Sequence, residues 1–387
     1  MAVTRRQLLR RLGTGVIGVS VAPSIATAGT RTIGGASWSP PESGRPQGPI
    51  SLHRNENAYG ASRQAIAAVR QAALTLGQRT SNDERKQLRE AIAARHRVPA
   101  DHVVLSSGSS EILRSVVKLR SHGRLVAASP TSEWFATHCQ GSNAEIVTVP
   151  LTHVYEHDLE AMLARIGSDP ALVYICNPHN PTGTPTRPDA LEAFVRKLPA
   201  ATHVLIDEAY HHYVTPSVSY ASWLDRSLDD ARVIVTRSFS KIHGLAGLRI
   251  GYAVTAPETS RRLRITELED SMNVVSATAA LAALNDGEHV QTSLARNTDD
   301  RQEFFNEANA RMLRVIDSQT NFVMLNCDRP AATIVEHFRK HNVVVPRPFT
   351  GFERYIRVSL GRPDDMRTFW RVWDLMPGGG HGHGKSI

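Results

Sequence analysis

Ser238-Phe239-Ser240-Lys241-Ile242-His243-Gly244-Leu245-Ala246-Gly247-Leu248-Arg249-Ile250-Gly251-Tyr252 places one lysine between two serines and a glycine-rich turn. The run before it, Val233-Ile234-Val235, is wholly apolar and β-branched and reads as a buried strand. A strand that ends in a polar, glycine-rich loop suits an open α/β sheet, where ligands bind just beyond the strands' carboxyl ends. A lysine buried there beside other cationic groups has its pKa lowered, and its free amine can capture an aldehyde as a Schiff base near neutral pH. A plain surface lysine in a strand-to-helix loop would read the same way, so the rest of the chain decides.

Working outward, short apolar runs alternate with longer helical stretches, the pattern of a sheet with helices on both faces. The runs are Val103-Val104-Leu105, Leu125-Ala128, Glu145-Val149, Leu172-Ile175, Val204-Ile206, Val233-Val235 and Ile250-Val254. They predict an α/β fold with one large, mostly parallel, seven-stranded sheet. From about Leu263 the pattern changes to long amphipathic helices and then shorter strands at Phe322-Leu325, Val343-Val345 and Tyr355-Val358. This predicts a smaller α/β C-terminal domain over residues 263–376, joined by residues 50–70, beside a large domain over 71–262. Residues 377–387, rich in Gly and His, read as a disordered tail and a poor metal site.

The 387 residues exceed one ordinary domain, and 41% apolar content allows a large core. The formal charge is +8, but half of it comes from Arg5, Arg6, Arg10 and Arg11, and no other basic run is dense enough for a nucleic-acid face. Cys139, Cys176 and Cys327 are widely spaced, which argues against a disulfide framework and a zinc site. Residues 1–28 combine paired arginines, a short apolar middle and Ala26-Thr27-Ala28, the form of a twin-arginine signal peptide too short for a stable membrane span. The expectation is export to a periplasmic or extracellular location, with residues 29–49 as a flexible arm.

Polar residues fall at the strand ends. Gly108-Ser109-Ser110 follows a strand and opens a helix, a place where backbone amides hold anions. Asn177-Pro178-His179-Asn180-Pro181-Thr182-Gly183 holds two Asn-Pro units, which stiffen a loop that presents side-chain amides. Asp207-Glu208-Ala209-Tyr210 sets a carboxylate at the end of an apolar strand, costly to bury unless it meets a positive charge, either a structural ion pair or a protonated ring nitrogen. With Asn55-Glu56-Asn57-Ala58-Tyr59-Gly60, Asn321-Phe322 and Tyr355-Ile356-Arg357-Val358, these motifs stand in one order over residues 50 to 375. In that order they resemble the fold-type I aminotransferases that use pyridoxal 5'-phosphate, nearest to the histidinol-phosphate aminotransferase branch.

The resemblance implies roles. Lys241 holds the cofactor as a Schiff base and moves the substrate proton, while Asp207 pairs with the ring nitrogen. Asn180 and Tyr210 bond the ring oxygen, Trp134 stacks on the ring, and Ser109, Ser110, Ser238, Ser240 and Arg249 hold the phosphate. Arg357 binds the substrate carboxylate as a fork, with Asn321 and Asn180 nearby, and Tyr59 and Arg347 match positions that contact a substrate phosphate. The partners implied are an amino donor, a 2-oxo acid acceptor and a second copy of the chain. One departure is Arg79-Thr80-Ser81-Asn82-Asp83, where the family commonly has Arg-Tyr-Pro-Asp. Thr80 and the export signal weigh against histidinol phosphate itself and leave another amino donor, aromatic, basic or from secondary metabolism, as open as that substrate. A decarboxylase, cyclase or oxidase on the same scaffold, and a cofactor-binding regulator, are the competing expectations; residues 1–50 are too short to supply a regulator's DNA-binding module.

Overall fold

Seven strands form one sheet in the order β2-β8-β7-β6-β5-β3-β4, and the chain's alternating pattern explains how it is buried. The strands are β2 (Val103–Ser106), β3 (Arg124–Ser129), β4 (Glu145–Pro150), β5 (Ala171–Cys176), β6 (His203–Asp207), β7 (Val233–Ser238) and β8 (Gly251–Thr255). All neighbours run parallel except β8, which is antiparallel to both β2 and β7. The computed structural model describes residues 48–74, 83–119, 123–132, 144–167, 171–214, 219–226, 228–265 and 271–376, with Phe135, Thr137 and Cys139. The expected signal peptide, most of the arm, the tail, Thr80 and Trp134 lie outside the described residues.

Successive strand residues face opposite sides of a sheet, so a strand covered on both faces must be apolar throughout. Val103, Val126, Val173, Val204 and Val233 enter the core on one face. Their chain neighbours Val104, Leu125, Leu172, Leu205 and Ile234 enter the core on the other. The seven apolar runs of the sequence are these seven strands. At the sheet edge, β4 keeps Ile146 exposed.

A separate apolar cluster gathers Leu52, Phe304, Val323, Phe338, Val343, Val358, Phe369 and Trp370. It is organised by β9 (Phe322–Asn326) and β11 (Tyr355–Ser359), which pair antiparallel, and by β1 (Ile50–Ser51), which pairs parallel with β10 (Val343–Val344). The chain after β1 therefore starts at this cluster and runs toward the large sheet. Among the described residues no helix is long and apolar enough to cross a membrane, and no group of His, Cys, Asp and Glu is placed to hold a metal ion.

Candidate active site

β5, β6 and β7 are adjacent in the sheet, so the loops at their carboxyl ends meet. Those loops carry Asn180, Asp207 with Tyr210, and Ser238 with Lys241. They enclose a cavity of about 140 Å³ lined by Ser109, Ser110, Asn180, Asp207, Tyr210, Ser238, Ser240, Lys241 and Arg249, together with Leu113, Ser132 and Ala209.

Lys241 Nζ donates to the carbonyls of Arg54 at 3.0 Å and Asn55 at 3.1 Å, and lies 5.2 Å from the centre of the Tyr210 ring. Burial, seconded by the Arg357 guanidinium, brings its pKa down to about 8, with the charges of Asp207 and Glu56 acting in the other direction. The lysine loop is clasped by the chain after β1. Asn57 Nδ2 donates to the Ile242 carbonyl at 2.8 Å, and Asn321 Nδ2 donates to the carbonyls of Asn55 and Glu56. Gly244, at φ 68°, lets the backbone at Gly60 approach so closely that a Cβ would overlap it.

Asp207 is 7% exposed, and three donors converge on it. Tyr174 Oη donates to Oδ2 at 3.0 Å; Ala209 N and Thr236 Oγ1 donate to Oδ1 at 3.1 and 3.3 Å. Burial nevertheless raises its pKa, which marks a carboxylate short of positive charge. Next along the chain, Glu208 turns to the opposite side and is neutralised within the protein: Arg237 Nη2 meets its Oε2 at 2.8 Å in a fully buried pair, supported by Ser222 Oγ and the Trp223 amide. Of the two carboxylates, the one that lacks a protein cation is the one that lines the cavity.

The cavity's anion end is built by the start of the helix Ser109–Leu119, whose first amides have no acceptor within the helix, and by Arg249. Gly108, at φ 92°, has no side chain because a Cβ would strike the Arg249 guanidinium. Arg249 Nη1 reaches Ser240 Oγ at 3.5 Å, and Ser238 Oγ accepts the Ser240 amide at 3.0 Å.

Arg357, 6% exposed on β11, reaches the same place from the other cluster. Its Nη1 donates to Asn180 Oδ1 at 2.6 Å and its Nη2 to the His53 carbonyl at 2.8 Å, with the guanidinium 5.2 Å from the centre of the Phe349 ring. Asn180 Nδ2 in turn points at Tyr210 Oη at 3.4 Å, and Asn55 Nδ2 donates to the same oxygen at 3.0 Å. With two amides donating to it, the Tyr210 hydroxyl has its own proton left to give into the cavity.

Nine expected residues line one cavity; Arg357 bonds one of them, Asn180, and Asn321 bonds the Asn55 carbonyl that also accepts from Lys241. Tyr59 and Arg347 stand elsewhere. Tyr59 gives its hydroxyl to Asp300 at 2.7 Å under the Arg296 guanidinium, and Arg347 is exposed. Sequence reasoning passed over Asn55 as a site residue, although it sits in a quoted motif and its φ of 54° is a conformation that asparagine tolerates. It also passed over Tyr174, Thr236 and Ser132.

The donor set fits one group: an aldehyde for Lys241, a ring nitrogen for Asp207, a ring oxygen for Tyr210 and Asn180, and a phosphate for the helix start and Arg249. The family model for the aminotransferases of class I and II matches residues 47–371. The chain belongs to that family. It is 33% identical over 328 residues to a histidinol-phosphate aminotransferase of Moorella thermoacetica, covering 84% of each chain. With one from Cupriavidus pinatubonensis it shares 35% identity over 330 residues, 83% of this chain and 86% of that one. The crystal structure of the histidinol-phosphate aminotransferase from Sinorhizobium meliloti in complex with pyridoxal-5'-phosphate superposes with a TM-score of 0.78 at 28% identity, over 83% of this chain and 89% of that one. This aminotransferase therefore uses pyridoxal 5'-phosphate, which when bound supplies the electron sink for amino-group chemistry.

The wall that carries Asn180 is held by buried neutral histidines. His179 Nδ1 bonds Thr182 Oγ1 at 2.8 Å, His157 Nδ1 bonds Thr186 Oγ1 at 2.8 Å, and the two rings meet edge to face. Burial lowers the pKa of His179, takes His157 down to about 4, and takes His243, beside the lysine, down to about 3. These folded-state values lie below the unfolded value, so the unfolded chain binds more protons. The stability they confer is complete above about pH 6.5 and is lost as pH falls from there toward 4. A single such histidine removes about 1 kcal/mol per pH unit below the unfolded value, a sizeable share of a total of roughly 5–15 kcal/mol. Urea unfolding midpoints are expected to fall steeply between pH 6 and 5; a flat profile there would contradict this assignment.

Proposed function

We propose that the chain interconverts an L-amino acid or an amino-alcohol phosphate and its oxo product, with 2-oxoglutarate and glutamate as the co-substrate pair. The observation that carries this reading is Lys241: an amine that lines one cavity with the Asp207 carboxylate and whose pKa, near 8, is lowered in part by the charge of Arg357. In this reading Lys241 would bind the cofactor's aldehyde and, once the substrate frees it, would carry the proton between the substrate α-carbon and the cofactor's former aldehyde carbon. Asp207 holds the ring nitrogen protonated. Tyr210 and Asn180 hold the ring oxygen, while Ser109, Ser110, Ser238, Ser240 and Arg249 anchor the phosphate and so aim the aldehyde at the lysine. Arg357 grips the substrate carboxylate, which takes the place of Asn180 Oδ1 on its fork.

The named relatives favour a substrate with a phosphate at its far end. The arginine pair Arg5-Arg6 and the small-residue site Ala26-Thr27-Ala28 favour export by the twin-arginine route to a periplasmic or extracellular location. The family resemblance favours a homodimer. The deciding experiment is a spectroscopic screen of amino acids and amino-alcohol phosphates with the loaded enzyme. A true donor shifts the visible band to that of the amine form, and 2-oxoglutarate restores it. Carbon dioxide release without that shift would favour a decarboxylase, and no donor shifting the band would contradict the transferase reading.

A further inference from the structure

Tyr174 is the one hydroxyl in β5, a strand in which every residue is buried, and it is itself only 1% exposed. A phenol there must find a partner or cost about 1–3 kcal/mol. Strand register supplies that partner: Cys176 pairs with Asp207 and Tyr174 with Leu205, so Tyr174 and Asp207 share a face on a diagonal. The ring is fixed by Phe135, stacked at 4.3 Å between centroids and 8° between planes. Because the phenol's single proton is given to Asp207, the Ser132 hydroxyl 3.4 Å away is the donor to the phenol oxygen.

Counting hydrogen bonds on Asp207 gives this arrangement a purpose. An ionised carboxylate offers about four acceptor sites. Oδ1 takes the Ala209 amide and the Thr236 hydroxyl, and Oδ2 takes Tyr174, which leaves one site on Oδ2 for the cavity that Asp207 lines. Every donor favours the ionised form, against burial, which favours the neutral acid.

We propose that Tyr174, backed by Ser132, is a positioning residue that keeps Asp207 ionised, so that the proton shared between Asp207 and the cofactor's ring nitrogen stays on the nitrogen. The inference rests on the reading of Asp207 as the ring nitrogen's partner. Phenylalanine at position 174 keeps the shape and the stack on Phe135 but removes the donor. Asp207 then becomes more basic and draws the shared proton from nitrogen to Oδ2. No charge enters or leaves the site, but the ring loses its positive charge.

The test is a pH titration of the visible band of the loaded enzyme in wild type, Tyr174→Phe and Ser132→Ala. A positive ring repels the proton on the Lys241 nitrogen, so a ring that has lost its charge raises the midpoint of the transition. Tyr174→Phe is expected to raise it by about half a unit or more, and to weaken cofactor binding about fivefold, as the loss of one hydrogen bond of about 1 kcal/mol implies. Ser132→Ala is expected to move it in the same direction by less. A folded Tyr174→Phe enzyme with the wild-type midpoint, or a lower one, overturns the proposal. If Tyr174→Phe does not fold, Ser132→Ala decides, and its midpoint remaining at the wild-type value is the overturning result. Wild type without a visible band would overturn the cofactor role of Asp207 as well, whereas a normal band with an unmoved midpoint removes only Tyr174.

Discussion

Lys241→Ala is expected to lower the rate of amino-group transfer by at least about 10⁴-fold while leaving the protein folded, because it removes both the covalent anchor and the proton carrier. The hydrogen bonds that its Nζ gives are the two to the carbonyls of Arg54 and Asn55, and burial and the Arg357 charge already work against its positive form, so its loss costs the fold little. Lys241→Arg is expected to fail equally, since a guanidinium holds its proton and cannot act as the base. Stopped-flow conversion of the bound cofactor by an amino donor measures the effect directly. Because the amine has its pKa near 8, capture of the cofactor by the empty enzyme is expected to quicken about tenfold per pH unit up to pH 8 and then level off. A Lys241→Ala enzyme that retains activity within tenfold of wild type would remove the lysine from the chemistry.

Arg357→Ala is expected to lower kcat/KM for amino acids by about a hundredfold, roughly 3 kcal/mol, mostly through KM. The fork is held in place by Asn180 Oδ1, the His53 carbonyl and the rings of Phe349 and Phe322, so it is pre-set for a planar carboxylate. Arg357→Lys is expected to recover little, since an ammonium cannot make the paired contact. A second consequence separates this role from simple packing. The Arg357 charge is, after burial, the main influence that lowers the Lys241 pKa. Its removal is expected to move the pH midpoint of cofactor capture upward, and an unmoved midpoint with an unchanged KM would refute the assignment.

The seven strands were legible because a sheet covered on both faces demands unbroken apolar runs, and Val103, Leu172 and Val233 each begin such a stretch. Their order in space was not, because nothing local tells β8 to run against β2 and β7. The cavity's polar walls were legible where unusual residues interrupt a pattern, as Asp207 does at the end of β6 and Asn180 between prolines. What escaped were contacts made by the backbone, such as the Arg54, Asn55 and His53 carbonyls, since a carbonyl has no letter in the sequence. Tyr174 escaped for a different reason: in an apolar strand a tyrosine reads as core, and its diagonal relation to Asp207 exists only once β5 and β6 are in register. Tyr59 shows the converse. Its motif is intact, yet its hydroxyl is given to the Asp300 carboxylate and Tyr59 is not among the residues that line the cavity; burial and Asp300 raise its pKa.

The central claim is that Lys241, of all the lysines, carries the cofactor. Borohydride reduction of the enzyme loaded with pyridoxal 5'-phosphate, followed by proteolysis and mass spectrometry, reads it directly. The account predicts one stable pyridoxyl modification, on the peptide that contains Lys241 and absent from Lys241→Ala; a modification on another lysine with Lys241 unmodified would contradict it.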